Sequence, residues 1–88
     1  MHLEYRNQIH KIMKDKFMQQ FKEVLEIEDR EIALDDVFRD YDEWDSLVQL
    51  SLIAMLDEEF KVEIEEDDFN KLITVGELLH EVEKRSKA

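Results

Sequence analysis

Residues 44–60 read WDSLVQLSLIAMLDEEF, and the rest of the chain is organised around this stretch. It opens on a polar Asp45-Ser46 pair, continues with apolar residues at three- and four-residue steps, and closes on three consecutive acids before Phe60. This period predicts an α-helix over about residues 46–59. Asp45 or Ser46 can cap its N-terminus, and if Ser46 is the cap, Gln49 completes a capping box.

The predicted helix has apolar residues on two faces. At about 100° per residue, one stripe that suits a core consists of Leu52, Ile53, Leu56 and Phe60. Nearly opposite lie Leu47, Leu50 and Ala54, with Ser51 and Glu58 beside them, while Val48 and Met55 fall between the stripes. Scattered apolar side chains are common on protein surfaces, so the second stripe can be ordinary exposure. The alternative is a docking face, rimmed by the acids at 57–59, for a partner with an apolar groove and a basic edge.

The length and composition bound the class of protein. The 88 residues allow one domain, with its core over about residues 3–85. The chain has no cysteine, which excludes disulfides and thiolate metal sites and fits a reducing compartment. No apolar run reaches the roughly 18 residues that a membrane-spanning helix needs, and residues 1–6 lack the apolar segment of a signal peptide. These features predict a soluble cytoplasmic protein without membrane insertion.

Charge is distributed unevenly along the chain, whose net charge is −12. Residues 1–22 hold five basic and two acidic side chains (net +3), whereas residues 23–88 hold seven basic and 22 acidic ones (net −15). The acidic part would repel nucleic-acid phosphates and anionic lipid. It predicts partners with basic patches, whose association weakens with salt, and a monomer, because the surface repels itself. The alternative is that the acidity only keeps a small protein in solution.

The remaining pattern predicts an all-α chain, because there is no proline, one glycine and no sustained alternation. A first helix over about 3–25 has an apolar stripe of Ile9, Ile12, Met13, Phe17, Phe21, Val24 and Leu25. A long acidic loop over 26–43, with one helical turn near 35–38, follows it and carries the expected core anchors Ile27, Ile32, Leu34, Val37 and Phe38. Loops of this length in small domains are often functional.

Two further helices complete a predicted four-helix bundle with a long first loop and a short third helix. The third covers about 66–72, with acids in its first turn as the helix dipole prefers. The fourth covers about 74–85, opened by a Thr74/Glu77 capping box. Its apolar stripe is Val75, Leu78, Leu79 and Val82, and the tail at 86–88 is expected to be loose.

Ser46 is the candidate functional residue, although a serine at a helix start is most often only a cap. A long loop delivers it to the surface, a helix N-terminus favours a phosphate, and the second apolar stripe begins beside it. A catalytic serine is not expected, because His10 and His80 are remote in sequence and no Gly-x-Ser-x-Gly elbow is present. No calcium-loop or zinc spacing fits either, so neither catalytic nor metal-ligating residues are predicted.

The pattern resembles the acyl carrier protein family, from about Phe38 to Val82. The matching residues are Asp45-Ser46-Leu47, Leu50, Leu52, Leu56-Asp57-Glu58-Glu59-Phe60, Ile64, Leu72 and Thr74-Val75. Asp-Ser-Leu alone is a weak signal, but together with the Glu-Glu-Phe helix end and the Thr-Val helix start it is specific. The resemblance implies a four-helix bundle with a long first loop, in agreement with the pattern above.

The resemblance also implies a function. The hydroxyl of Ser46, within the Asp45-Ser46-Leu47 site, would be esterified by 4'-phosphopantetheine from coenzyme A through a phosphopantetheinyl transferase. The terminal thiol would carry an acyl or aminoacyl group as a thioester for loading and acyl-transferring enzymes, and the carrier itself would not be an enzyme. Partner contacts would involve Leu47, Leu50, Ser51, Ala54, Asp57 and Glu58. Pathways of this kind include fatty-acid and polyketide synthesis.

Several residues depart from the pattern of the general fatty-acid carrier. They are Glu43, Trp44, Val48, Ser51, Glu65, Phe69 and Leu78. The bulk of Phe69 and Leu78 would shrink an internal pocket, which favours a specialised carrier with a short or polar cargo as much as a long chain. The alternatives are a peptidyl or D-alanyl-type carrier, or an acidic helical interaction module without a prosthetic group.

Overall fold

The computed structural model describes the backbone of residues 2–86 and the side chains of residues 11–86. Its helices are α1 (His2–Leu25), α2 (Ser46–Phe60), α3 (Glu66–Phe69) and α4 (Val75–Arg85), with a 3₁₀ helix at Phe38–Asp40. Over residues 2–86 no strand is present, and the one β-bridge joins Val37 to Thr74. The all-α prediction with a long first loop and a short third helix is confirmed.

One hydrophobic core is shared by all four helices and the long loop. Phe17 and Phe21 of α1 pack against each other with ring centroids 5.8 Å apart, and Phe60 of α2 lies 6.3 Å from Phe17. Fully or nearly fully buried residues from the other elements complete it, among them Ile27, Phe38, Leu52, Leu56, Val62, Phe69, Val75, Leu78, Leu79 and Val82. The predicted inner stripe of α2 and the stripe of α4 therefore face the core, with Ile53 and Val48 half-buried at its edge and Met55 inside it.

Some predicted core residues of α1 and of the long loop are exposed. Ile12 of α1 is 66% exposed, whereas Met13 packs against the core and Phe17 lies within it. The predicted position of Ile9 cannot be compared, since that side chain lies outside the described residues. In the loop, Ile27, Ile32 and Phe38 are buried as expected, but Leu34 and Val37 are exposed. Periodicity could not foresee this, since loop residues follow no helical or strand period.

The backbone of Leu34 and Asp36 attaches the loop to the start of α4. The amide of Gly76 donates to the carbonyl of Leu34 at 2.7 Å, and that of Val75 donates to the carbonyl of Asp36 at 3.0 Å. A Cβ at position 76 would lie 3.0 Å from the Leu34 oxygen, so the only glycine of the chain permits this close approach. The helical turn predicted near 35–38 is the 3₁₀ helix, which lies slightly later in the chain, at Phe38–Asp40.

The short α3 depends on two arginines from other elements. Arg39 of the 3₁₀ helix donates to the carbonyls of Phe69 (2.9 Å) and Leu72, and its guanidinium lies over the Phe38 and Phe69 rings. Arg85 of α4 binds Asp68 at 3.0 Å. The helix ends at Phe69 rather than near residue 72 as predicted, and a one-turn helix is not stable without such partners.

The ends of α2 and α4 are defined by their caps. Asp45, not Ser46, is the N-cap of α2: its carboxylate accepts from the amide of Val48 at 2.8 Å. Of the two predicted caps the structure confirms Asp45, so the capping box that Gln49 would complete with Ser46 does not form. Thr74 caps α4 in the predicted box, with Glu77 accepting from the Thr74 amide at 2.9 Å. Of the tail, Lys87 and Ala88 lie outside the described residues.

Candidate phosphopantetheine attachment site

Ser46 is the first residue of α2 and is exposed. Because Asp45 supplies the cap, no described group forms a hydrogen bond with the Ser46 hydroxyl. The backbone amides of Ser46 and Leu47 also have no acceptor among the described residues. The hydroxyl and the two amides thus face solvent together at the positive end of a helix 15 residues long.

This arrangement fits a phosphate ester on Ser46. Unpaired amides at a helix N-terminus donate hydrogen bonds to phosphate oxygens, and the helix dipole favours their negative charge. The exposure of the hydroxyl leaves room for a substituent to leave the surface. Among the described side chains the only histidine is His80, which is exposed on α4 and forms no described contact with Ser46.

The segment before Ser46 is fixed by an aromatic cluster. Trp44 stacks on Phe69 with an interplanar angle of 10° and centroids 6.3 Å apart, and it lies 5.0 Å from the ring of Phe38. Because Phe38 and Phe69 are fully buried, the half-buried Trp44 anchors the chain two residues before Ser46. This anchor fixes the position at which α2 begins.

Two polar contacts hold the part of the long loop that precedes Trp44. Both terminal guanidinium nitrogens of Arg30 donate hydrogen bonds to the Glu43 carboxylate, the shorter at 2.7 Å. This pairing lowers the pKa of Glu43. The hydroxyl of Tyr41 donates to Asp36 at 2.7 Å. Burial of the ring and this hydrogen bond raise the pKa of Tyr41, while the bond from Tyr41 and one from the Ala33 amide lower the pKa of Asp36.

The outer face of α2 is exposed as predicted. Leu47 and Leu50 are 71% and 65% exposed. The other predicted partner-binding positions are also exposed, namely Ser51, Ala54, Asp57 and Glu58. None of these acids forms an ion pair with another described side chain. The structure thus places the six residues on one accessible surface beside Ser46, and their contacts with a partner remain a prediction.

Grooves run along both sides of this face. A groove of about 240 Å³ on the α3 side is lined by Ser46, Gln49, Leu50, Ile53 and Glu66. On the α1 side, a groove of about 450 Å³ lies next to Asp45, Leu47, Val48 and Ser51. The outer face of α2 is therefore a ridge between two grooves, each lined by both apolar and polar residues.

Sequence reasoning missed the residues that support the site. Neither Arg39 nor Arg30 was among the candidates, although both are cations within an acidic loop, where each has many possible partners. Their hydrogen bonds to Glu43, Phe69 and Leu72 join residues 13 to 33 positions apart, which periodicity does not relate. Within the described residues, no group of three or more histidine or acidic side chains is arranged to hold a metal ion.

Comparison with known proteins defines the class. A protein-family model described as a phosphopantetheine attachment site matches residues 15–82 of this chain. The chain belongs to this family of phosphopantetheine-bearing carriers. It is similar to the holo acyl carrier protein from Geobacter metallireducens, solved by solution NMR, with 28% sequence identity and a TM-score of 0.71 over 81% of this chain and 82% of that one. No curated protein matches the chain.

The family assignment confirms the expected class of function. The protein is a carrier of the acyl carrier type with a covalently attached 4'-phosphopantetheine, and carriers of this type are not enzymes. Such carriers interact with a phosphopantetheinyl transferase and with acyl-handling enzymes. An acidic module without a prosthetic group is thereby set aside. Among the described helices, none combines the length and apolar character that crossing a membrane requires.

Proposed function

We propose that Ser46 is the residue that bears the 4'-phosphopantetheine. The observation that carries this proposal is the exposed Ser46 hydroxyl, which makes no described hydrogen bond and opens α2 within the Asp45-Ser46-Leu47 motif. Asp45 stabilises the helix start through the Val48 amide, so that Ser46 is not needed as a cap. The unpaired amides of Ser46 and Leu47 favour the phosphate ester.

The chemistry of attachment belongs to the transferase. The Ser46 oxygen forms the new phosphorus–oxygen bond with the pantetheine phosphate of coenzyme A, while the pyrophosphate P–O bond breaks and adenosine 3',5'-bisphosphate leaves. The transferase accepts the proton of the Ser46 hydroxyl. Once attached, the group supplies a terminal thiol that carries an acyl or aminoacyl unit as a thioester. The role of this chain's residues is to hold the attachment point exposed and oriented.

The outer face of α2 is the proposed surface for partner enzymes. Exposed Leu47 and Leu50 supply an apolar centre, and Asp57 and Glu58 supply charge at the far end of the helix. Ser51 and Ala54 lie between them and leave room for partner side chains. Apolar anchors surrounded by charge are typical of protein interfaces, and acids select partners with basic patches.

The carrier proposed is a specialised one rather than the general fatty-acid carrier, and its acyl or aminoacyl cargo is short or polar as readily as it is a long chain. Phe69 and Leu78 are both fully buried, and Phe69 packs on Phe38 and Trp44, so bulky side chains occupy the interior next to α3. A peptidyl or D-alanyl-type carrier fits the same observation. We further propose that the carrier unit is a single domain over about residues 3–85, monomeric and cytoplasmic.

The test is an intact-mass measurement after incubation with coenzyme A and a broad-specificity phosphopantetheinyl transferase. The wild type is expected to gain the mass of one phosphopantetheine, and Ser46→Ala none. Ser86→Ala is the matched control, since Ser86 follows α4 and lines neither groove beside α2, and it should be modified like the wild type. A Ser46→Ala chain that still gains the group would refute the assignment. Loading of the holo form by adenylating or acyl-transferring enzymes then distinguishes the cargo classes.

A further inference from the structure

A continuous depression separates α1 from the outer face of α2. It consists of the groove of about 450 Å³ next to Asp45 and a second groove of about 380 Å³. The two grooves share Val24 and Ser51, and we call them together the α1–α2 trough. Val24 and Val48 are half-buried and Met55 is buried along its floor. The trough is therefore apolar at its base and begins beside the attachment site.

The walls of the trough carry acids without described partners. Glu23 and Glu26, on and just after α1, are exposed, and Glu58 of α2 faces them from the other wall. None of the three forms an ion pair with another described side chain. By contrast, two other acids that line it are paired: Glu43 with Arg30 at 2.7 Å and Glu59 with Lys16 at 3.6 Å. The unpaired acids repel one another, and a cation placed between them would relieve that repulsion.

We infer that the α1–α2 trough receives a segment of the phosphopantetheinyl transferase in which an apolar side chain is flanked by arginine or lysine. The apolar side chain would pack on the floor of the trough, and the arginine or lysine would pair with the unpaired acids on its walls. The trough is continuous with the outer face of α2 through Leu47 and Ser51, so one partner surface can cover both. Recognition would thus extend to α1, which the α2 motif does not include. This inference rests on the proposed attachment at Ser46.

The first experiment measures kcat/KM of the transferase on the apo chain and its variants. In Glu23→Gln/Glu26→Gln both substitutions keep the shape of the wall and remove its charge. We expect kcat/KM to fall roughly tenfold at low ionic strength, mainly through slower association, because charges at an interface steer the encounter. The loss should shrink as salt is added, since the Debye length falls to about 8 Å at physiological ionic strength.

The matched control is Asp35→Asn/Glu63→Gln. It makes the same change in net charge at two exposed acids that do not line the trough. Its kcat/KM should stay within about twofold of the wild type, because only the long-range field is altered. A thermal melt of each variant shows that the compared chains are folded. If both double variants lose activity equally, net charge alone acts and the inference is refuted.

The second experiment locates the contact directly. Ser46→Ala cannot be modified in the proposed scheme, so it can be titrated with the transferase while amide signals are followed by NMR. Shifts of the Gln20, Glu23 and Val24 amides are expected along with those of α2. Shifts confined to α2 and α3 would refute the inference and leave the attachment site standing. A wild type that never gains mass would overturn both the attachment at Ser46 and this inference. If the free chain sediments as a dimer, and Glu23→Gln/Glu26→Gln converts that dimer to a monomer, the trough binds a second copy of the chain and the inference is refuted.

Discussion

The outer face of α2 and the single turn of α3 lie side by side but are built in opposite ways. In α3, Asp68 and Phe69 are held by contacts with Arg85, Arg39 and a stack of aromatic rings. On the outer face of α2, Leu47 and Leu50 are exposed and the acids have no described partner. The difference follows from length: four residues cannot form a stable helix alone, whereas 15 residues packed along one stripe can.

This comparison shows which surface the fold can spare. The contacts of Asp68 and Phe69 hold that turn in place, so a partner that used those side chains would compete with the fold. The outer stripe of α2 contributes little to folding, because Leu47 and Leu50 are mostly exposed. An apolar face that remains exposed in a chain with its own core is typical of an interaction surface.

The largest expected effect compares the same substitution on the two faces of α2. Leu52 is fully buried and Leu50 is 65% exposed, two residues apart. Leu52→Ala is expected to lower the free energy of unfolding by about 2–5 kcal/mol, through lost burial and the cavity left behind. Leu50→Ala should change it by less than about 0.5 kcal/mol. Urea unfolding measures both, and equal losses would show that the outer stripe is part of the core.

A smaller effect is expected from the arginine that fastens α3. Arg39→Met removes two hydrogen bonds to backbone carbonyls while keeping much of the apolar stem. We expect a loss of about 1.5–3 kcal/mol in unfolding free energy, the range for hydrogen bonds with a charged partner. Lys71→Met is the control, because Lys71 is exposed and lies 4.0 Å from Asp68, a pair worth at most about 1 kcal/mol. Similar melts for both variants would contradict the proposed role of Arg39.

The end of α2 offers a stabilising change. Lys61 has φ of 56°, in the left-handed region, and its amide donates to the carbonyl of Asp57. Glycine adopts this conformation without the Cβ penalty, so Lys61→Gly is expected to raise the free energy of unfolding by about 0.5–1 kcal/mol. Glu63→Gly is the control: Glu63 is not among the residues with positive φ, and glycine there should destabilise. A melting temperature lowered by Lys61→Gly would refute the argument.

The smallest effect is a pH dependence at the corner between α3 and α4. Hydrogen bonds from the amides of Thr74 and Ile73 lower the pKa of Glu77 in the folded chain. Its contribution is therefore present above the unfolded pKa of about 4.3 and is lost as the pH falls through the lower folded value. We expect the wild type to melt above Glu77→Gln at pH 7, with the difference shrinking below the unfolded pKa of about 4.3 and vanishing only below the lowered folded pKa.

The control for this comparison is Glu63→Gln, since the Glu63 carboxylate forms no described hydrogen bond. Using differences between chains removes the general effect of acidification, which relieves repulsion in a chain of net charge −12. A gap between wild type and Glu77→Gln that persists unchanged in acid would contradict the role assigned to this carboxylate.

The sequence predicted the periodic parts of the fold and not the contacts that join them. Helical spacing located α2 and α4 nearly to the residue, and the Thr74/Glu77 pair was recognised because both members lie within one turn. Ile12 was misassigned, since periodicity gives the direction of a side chain but not where a neighbouring helix stops covering it. Asp45 and Ser46 were both possible N-caps of α2, and only the folded structure shows that the Asp45 carboxylate accepts the hydrogen bond from the Val48 amide.

The site was predicted to a similar extent. Ser46 and the outer face of α2 follow from a motif and a helical wheel, which are local properties of the chain. The α1–α2 trough does not, because its walls come from segments about 25 residues apart that meet only after folding. The arginine contacts with α3 escaped prediction for the same reason.

The stacking of Trp44 on Phe69 also provides a built-in optical probe. Trp44 is the only tryptophan of the chain, and its indole is half-buried two residues before Ser46. Its emission will report the polarity of that one position without any label. Detachment of the ring in urea should move the emission maximum to longer wavelength, and the same signal can be recorded continuously while the neighbouring hydroxyl is being modified.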